Sequence, residues 1–183
     1  GNYNSNTSKF YTDLGLLSTD PEIASDLLEL FNYLSGFSKQ KSYQKLLVSP
    51  SSMRKKFIFL IKREIKNAEE GKKAEIIAKM NSLVDPEIIN LLYLASDSGV
   101  KISLIVRGIC CLYPQRKNLS ENIKVKSIIG HFLEHSRIFW FCNNGDNEVF
   151  IGSADWMRRN LDRRIEAVTP IEDYELKSKI YSL

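Results

Sequence analysis

The sequence predicts an α/β fold, a mixed sheet with flanking helices, and three observations carry that prediction. Short runs rich in Ile and Val alternate with longer stretches of helical period through the middle of the 183-residue chain. Two aspartate–proline pairs stand where helices should start. Toward the C-terminus, strand-like runs follow one another with no room for helices between most of them.

The elements follow in order. Thr19-Asp20-Pro21-Glu22 places a capping side chain before a proline suited to the first helical position, and Ile23, Leu27, Leu28, Leu30, Phe31 and Leu34 keep helical spacing until Gly36. Residues 36–45 are polar and basic without periodicity, so they read as a linker with a boundary near Leu46. Residues 46–49 form a short strand, and Met53, Phe57, Leu60, Ile61 and Ile65 then trace a helix stopped at Gly71. Asp85-Pro86-Glu87 opens a third helix through Ile88, Ile89, Leu91, Leu92 and Leu94, closed by Gly99 and flanked by strands at 75–81 and 101–107. This alternation implies parallel strands joined by crossover helices. Strands at 124–129, 136–142, 148–153 and 164–169, with a turn at Asn143-Asn144-Gly145-Asp146, form an antiparallel section expected to extend the sheet.

Composition narrows the function classes. A content of 43% hydrophobic and 10% aromatic residues is that of a folded globular chain, and no apolar run approaches the roughly 18 residues of a membrane span. The polar start, Gly1-Asn2-Tyr3-Asn4-Ser5-Asn6, lacks the order of a signal peptide, so an intracellular, soluble protein is expected. Three cysteines without a paired Cys-x-x-Cys spacing argue against a disulfide framework or a cysteine zinc site. A net charge of +4 favours anionic partners without the signature of an unspecific nucleic-acid binder.

The two histidines fall together in Gly130-His131-Phe132-Leu133-Glu134-His135-Ser136-Arg137. As a bare string, His131 to His135 fits the H-x-x-E-H pattern of zinc peptidases, but Gly130 before it and the apolar run 138–141 after it leave no helix to hold both rings. If the segment is extended, His135 and Arg137 project from one face, and an imidazole beside a guanidinium suits a phosphoryl group. The plainer alternative is a core histidine bonded to backbone beside a solvated arginine. Downstream, the turn at Gly152-Ser153 leaves backbone N–H groups for an anion, with Asn160, Arg163, Arg164 and Glu166 beyond it as donors and an orienting acid. A solvated loop with local salt bridges is the competing reading.

His135-x-Arg137, then Gly152-Ser153 with Asn160 and Glu166, resembles the histidine and glycine-serine-asparagine arrangement of the phospholipase D superfamily. Longer strings resemble the C-terminal region of one family within it, the polyphosphate kinases: Leu83-Val84-Asp85-Pro86, residues 104–111, residues 119–123, Leu133-Glu134-His135 and residues 153–157. Gly1-Asn2-Tyr3-Asn4 and Tyr11-Thr12-Asp13 belong to the same likeness, which covers essentially the whole chain.

The resemblance implies a phospholipase-D-like half domain, with residues 1–45 the tail of a first half plus linker and residues 46–183 the second half. It implies reversible transfer of the terminal phosphate of ATP to polyphosphate through a phosphohistidine, with the phosphorylated histidine upstream of Gly1, further helical sequence beyond Leu183, and an isolated chain without catalysis. His135 matches the second, catalytic histidine. Tyr11, Arg107 and Arg164 match ATP- and phosphate-binding positions, while Arg137 is read as an additional phosphate donor and Glu166 as the orienter of His135. Mg2+ is expected with ATP, with no metal ligand in this chain. ATP, ADP and polyphosphate are the expected partners, the parent is expected to be a homo-oligomer, and its place is the cytoplasm, with membrane association through a synthesis complex. Lys9 departs from a usual arginine, keeping charge but losing the bidentate fork, and Arg158 stands where a proline or small residue is usual. A phospholipase-D-like phosphodiesterase, expected to carry lysine in place of Arg137, and a non-catalytic ATP- or polyphosphate-binding module are the alternatives.

Overall fold

The computed structural model describes residues 4–37 and 42–182. The Gly1-Asn2-Tyr3 part of the first string and residues 38–41 of the expected linker lie outside them.

Local chemistry sets the helices. Asp20 caps α1 (Pro21–Leu34), its carboxylate accepting from the amides of Glu22 and Ile23 at 2.8 and 3.0 Å, and Asp85 caps α3 (Pro86–Asp97) through the Ile88 amide at 3.1 Å. Between them lie β2 (Leu47–Ser49), α2 (Met53–Glu69) and β3 (Glu75–Met80). After α3 come β4 (Lys101–Val106), β5 (Ile123–Lys126), β7 (Arg137–Phe141), β8 (Glu148–Gly152), the short α4 (Arg158–Asp162), β9 (Glu166–Ile171) and α5 (Tyr174–Tyr181). A separate two-stranded parallel ladder joins β1 (Tyr11–Thr12) to β6 (Leu133–Glu134).

The main sheet has seven strands in the order β2-β9-β8-β7-β3-β4-β5. β3, β4 and β5 are mutually parallel, whereas β7, β8 and β9 pair antiparallel with their neighbours. Two expectations are corrected by this order. The strand expected at 124–129 belongs to the parallel part, reached by a connection without a helix, and the antiparallel strands do not extend the sheet beyond it. They fill the space between β2 and β3, because β4 and β5 take one flank of β3 and leave its other flank to β7. β2 therefore closes the far edge, antiparallel to β9.

Alternation along the strands separates two cores. Ile76, Ala78 and Met80 of β3 and Ile102, Leu104 and Val106 of β4 face α2 and α3 in the large cluster around Phe57, Phe139 and Trp156. On the opposite face Trp140, Val149, Ile151 and Ile171 are covered by Leu14, Leu16 and Ile180. α1 packs Ile23 and Leu30 on Leu46 and Val48. Its buried Asp26 accepts from the amides of Gln44, Lys45 and Leu46 at 2.7–2.8 Å, which fixes the end of the segment read as a linker.

Strand direction gathers one working edge. Ser49 pairs with Glu166, Arg137 with Gly152, and Met80 with Val106. The C-terminal ends of β2, β3, β4 and β8 thus lie with the N-terminal ends of β7 and β9, so residues distant in sequence meet there.

Candidate active site

His135 immediately precedes β7, and its backbone amide donates to Thr12 O at 3.0 Å, continuing the β1–β6 ladder. That pairing carries residues 11–13 alongside the histidine. Nδ1 lies 2.9 Å from Asp13 Oδ1, Nε2 lies 3.0 Å from the Arg137 guanidinium, and the Tyr11 ring stands edge-on at 4.9 Å. A guanidinium only donates, so Nε2 accepts and Nδ1–H donates to Asp13; the tautomer is assigned from these partners. The side chain is 26% exposed, so the ring sits at a wet margin rather than in a sealed core.

Arg137 is held on all sides. Asp155, itself buried, receives it at 3.3 and 3.4 Å and also accepts from the Asn81 amide N–H at 2.7 Å. Its guanidinium donates to His135 O at 3.0 Å, and the Asn81 side chain, oriented with its oxygen toward Arg137, accepts from it and donates to Glu134 O at 3.1 Å. Beside it, Lys79 donates to Glu134 at 2.6 Å and to Ser136 at 2.7 Å; the Lys79 bond holds the Glu134 carboxyl below its usual range. Arg137 is thereby a fixed charge that presents donors beside His135.

Across the strand pair, β8 ends at Gly152, where a Cβ would lie 2.4 Å from Ala167 O and only glycine fits. Ser153 donates to Glu166 at 2.5 Å, Asn160 donates to the same carboxylate at 2.6 Å, and Arg164 approaches it at 3.3 Å. The carboxylate at His135 Nδ1 is Asp13 and not Glu166, the acid expected there from the sequence. Asp13, Asp155, Asn81 and Lys79 carried no separable sequence signal, although Asp13 and Asp155 stand within the family strings.

A cleft of about 590 Å³ opens under residues 13–18 and is lined at one end by His135, Arg137 and Ser153, at the other by Leu14, Leu16 and Ile23. Arg107 and Arg164 lie outside that lining. Arg107 follows β4, its amide bonded to Met80 O at 3.2 Å, one residue from the Asn81 that contacts Arg137. Its Nη1 is buried and has no hydrogen-bond partner among the described residues. His131 is exposed, its ring edge-on to Phe132 in a bend before β6, so no helix carries the His131–His135 pair.

A mixed sheet whose strand ends bring an imidazole, a guanidinium and a serine hydroxyl to one cleft defines an α/β domain with a cationic, histidine-bearing edge. Polyphosphate kinase C-terminal domain 2 matches residues 46–183 and polyphosphate kinase C-terminal domain 1 matches residues 1–40. The chain belongs to the polyphosphate kinase family, as a C-terminal portion. It is 64% identical over its whole length to 26% of a polyphosphate kinase of Parasynechococcus marenigrum, and 51% identical to 17% of one from Dictyostelium discoideum. The crystal structure of polyphosphate kinase from Porphyromonas gingivalis superposes with a TM-score of 0.87 at 44% identity, over 90% of this chain and 25% of that one. The chain thus spans about a quarter of the length of most of the curated relatives it matches. Among the described residues, no helix is long and apolar enough to cross a membrane.

Proposed function

We propose that this chain forms the second, phospholipase-D-like half of an ATP:polyphosphate phosphotransferase, with residues 1–45 the end of the first half and a boundary near Leu46. The observation that supports this best is His135 clamped between Asp13 and Arg137 at the head of a cleft. The terminal phosphoryl group leaves ATP for a histidine supplied by the region of the relatives that this chain does not span, ADP departs, and an oxygen of polyphosphate then takes the phosphoryl from that histidine. In both transfers the attacking and leaving groups need positioning and charge neutralisation more than covalent help.

Each residue here then has a task. A phosphoryl oxygen entering beside Nε2 displaces one Arg137 donor and meets a guanidinium already fixed by Asp155, so little reorganisation accompanies binding. When Nε2 takes a proton from solvent, the bond from Nδ1–H to Asp13 stabilises the resulting imidazolium, and Nε2–H then donates to that oxygen. Tyr11, Arg107 and Arg164 contact ATP and its phosphates, and Glu166 braces Ser153, Asn160 and Arg164. Among the described residues no cluster of three His, Cys, Asp or Glu side chains could hold a metal, so the residues present do not fit a protein-only magnesium site. Mg2+ would come with its ATP phosphates as ligands. A cytoplasmic homo-oligomer associated with the membrane through a synthesis complex completes the reading.

The test uses labelled ATP. The full-length protein gains acid-labile phosphate and passes it to polyphosphate, while the 183-residue chain alone gains none. Label on His135 in the isolated chain would overturn the division of labour between the halves.

A further inference from the structure

The working edge continues past the cleft onto α4, and there its charge is not balanced. Arg158, Arg159, Arg163 and Arg164 stand within one short stretch and are all exposed. Arg164 leans on Glu166, and Arg158 reaches Asp162 only at 3.9 Å. Arg159 and Arg163 have no carboxylate within salt-bridge distance among the described residues. They lie one turn apart, the Arg163 amide bonding to Arg159 O at 3.2 Å.

The five-residue helix beneath them is anchored to the fold through Asn160, Leu161 and Asp162. Asn160 and Leu161 are buried; the Asn160 side chain donates to Glu166, and its carbonyl accepts from Ser49 Oγ at 2.5 Å. Asp162 is gripped by Arg54 at 2.5 and 2.8 Å. Asn160, Leu161 and Asp162 are tied to the fold, so the two unpaired guanidinium groups stand exposed on a stiff base, and their mutual repulsion persists in the free protein. The relay Ser153–Glu166–Arg164 connects this base directly to the cleft wall.

Resting on the phosphotransferase reading above, we infer that Arg159 and Arg163 form an outer subsite for polyphosphate, holding phosphate residues of the chain remote from the reacting terminus at His135. A long polyanion supplies the missing counter-charge and bridges both guanidinium groups at once. A nucleotide has only three phosphates, which His135, Arg137, Arg107 and Arg164 take up on that reading, and so leaves none for Arg159 and Arg163. The subsite therefore separates long chains from ATP and from short phosphates.

The test is binding of long-chain inorganic polyphosphate, inorganic tripolyphosphate and ATP to the 183-residue chain across a salt series. In Arg159→Gln/Arg163→Gln, long-chain affinity falls by roughly 10-fold or more, and the slope of log K against log salt flattens by about 1.4. ATP and tripolyphosphate binding stay unchanged. Lys62→Gln/Lys101→Gln, which removes the same charge from exposed lysines away from this edge, leaves all three ligands unaffected. Unchanged long-chain binding in the arginine variant, equal loss of ATP, or equal loss in the lysine variant overturns the subsite while the phosphotransferase reading stands. A wild-type chain that binds neither ATP nor polyphosphate sinks both.

Discussion

The Nδ1 of His135 and the carboxylate of Asp13 meet at 2.9 Å across 122 residues of sequence. The contact exists because β1 pairs in parallel with β6, so the strap at 11–13 and the strand entering β7 advance together. It fixes the tautomer that leaves Nε2 facing Arg137. Asp13→Ala in the full-length enzyme should lower turnover by about 10–100-fold, the usual cost of removing a carboxylate that orients an imidazole. Combined with His135→Ala it should add almost nothing, since both act through one ring. Additive losses in that double variant would separate the two residues.

Gly152 meets Ala167 O and Val168 with no space for a Cβ, at 2.4–2.7 Å. Gly152→Ala forces β8 from β9 and costs about 2 kcal/mol, a fall in Tm of about 4–8 °C for a chain of this size. The same shift moves Ser153 from Glu166, so phosphate affinity falls with stability. A calorimetric scan showing an unmoved Tm would contradict the strand spacing.

Much of this was legible beforehand, and the reason is local. The Asp20-Pro21 and Asp85-Pro86 starts, the stop at Gly99 with φ +93°, and the turn at 143–146 each depend on neighbouring residues alone. The pairing of His135 with Arg137 followed from two-residue alternation. What sequence could not order was the sheet, because nothing near β2 specifies that three antiparallel strands will separate it from β3. The partners of the site depend on that order: Asp13 arrives through β1–β6, and Asn81 and Asp155 through the neighbouring ends of β3 and β8. Glu166 was read as the orienter because it was the nearest downstream acid in sequence, whereas strand pairing places it on Ser153 and Asn160.

Arg54 ties α2 to the N-cap of α3 and the last residue of α4, bonding Asp85 at 2.5 and 3.0 Å and Asp162 at 2.5 and 2.8 Å. Burial pushes the Asp85 carboxyl up, but the Arg54 and Ile88 bonds outweigh it and hold it below its ordinary 3.8. A depressed carboxyl contributes stability that is present above pH 3.8 and is lost as pH falls through its folded value. Arg54→Met should therefore cost about 3–5 kcal/mol near neutrality, because a buried carboxylate is left alone. In urea titrations the gap from wild type should close as the medium is acidified below that point. A gap independent of pH would assign the loss to packing instead.

Arg107 and Arg164 share a proposed role but differ in what the free protein gives them. Arg164 is 55% exposed and already leans on Glu166, so its removal costs partly screened contacts. Arg107 buries an Nη1 that finds no partner among the described residues, a donor whose desolvation is unrelieved until an acceptor arrives. An anion that supplies the acceptor gains what the free fold lacks. Arg107→Ala should then weaken ATP-dependent turnover of the full-length enzyme by about 1–3 kcal/mol, with Arg164→Ala at the lower end of that range. Removing the orphaned donor should leave resistance to urea unchanged or raised, which separates a ligand contact from a structural one. Arg107→Lys keeps the charge without the planar fork and should recover only part of the loss. If both alanine variants kept wild-type kinetics, neither arginine would touch phosphate; if Arg107→Ala lost stability and activity together, its guanidinium would serve the fold.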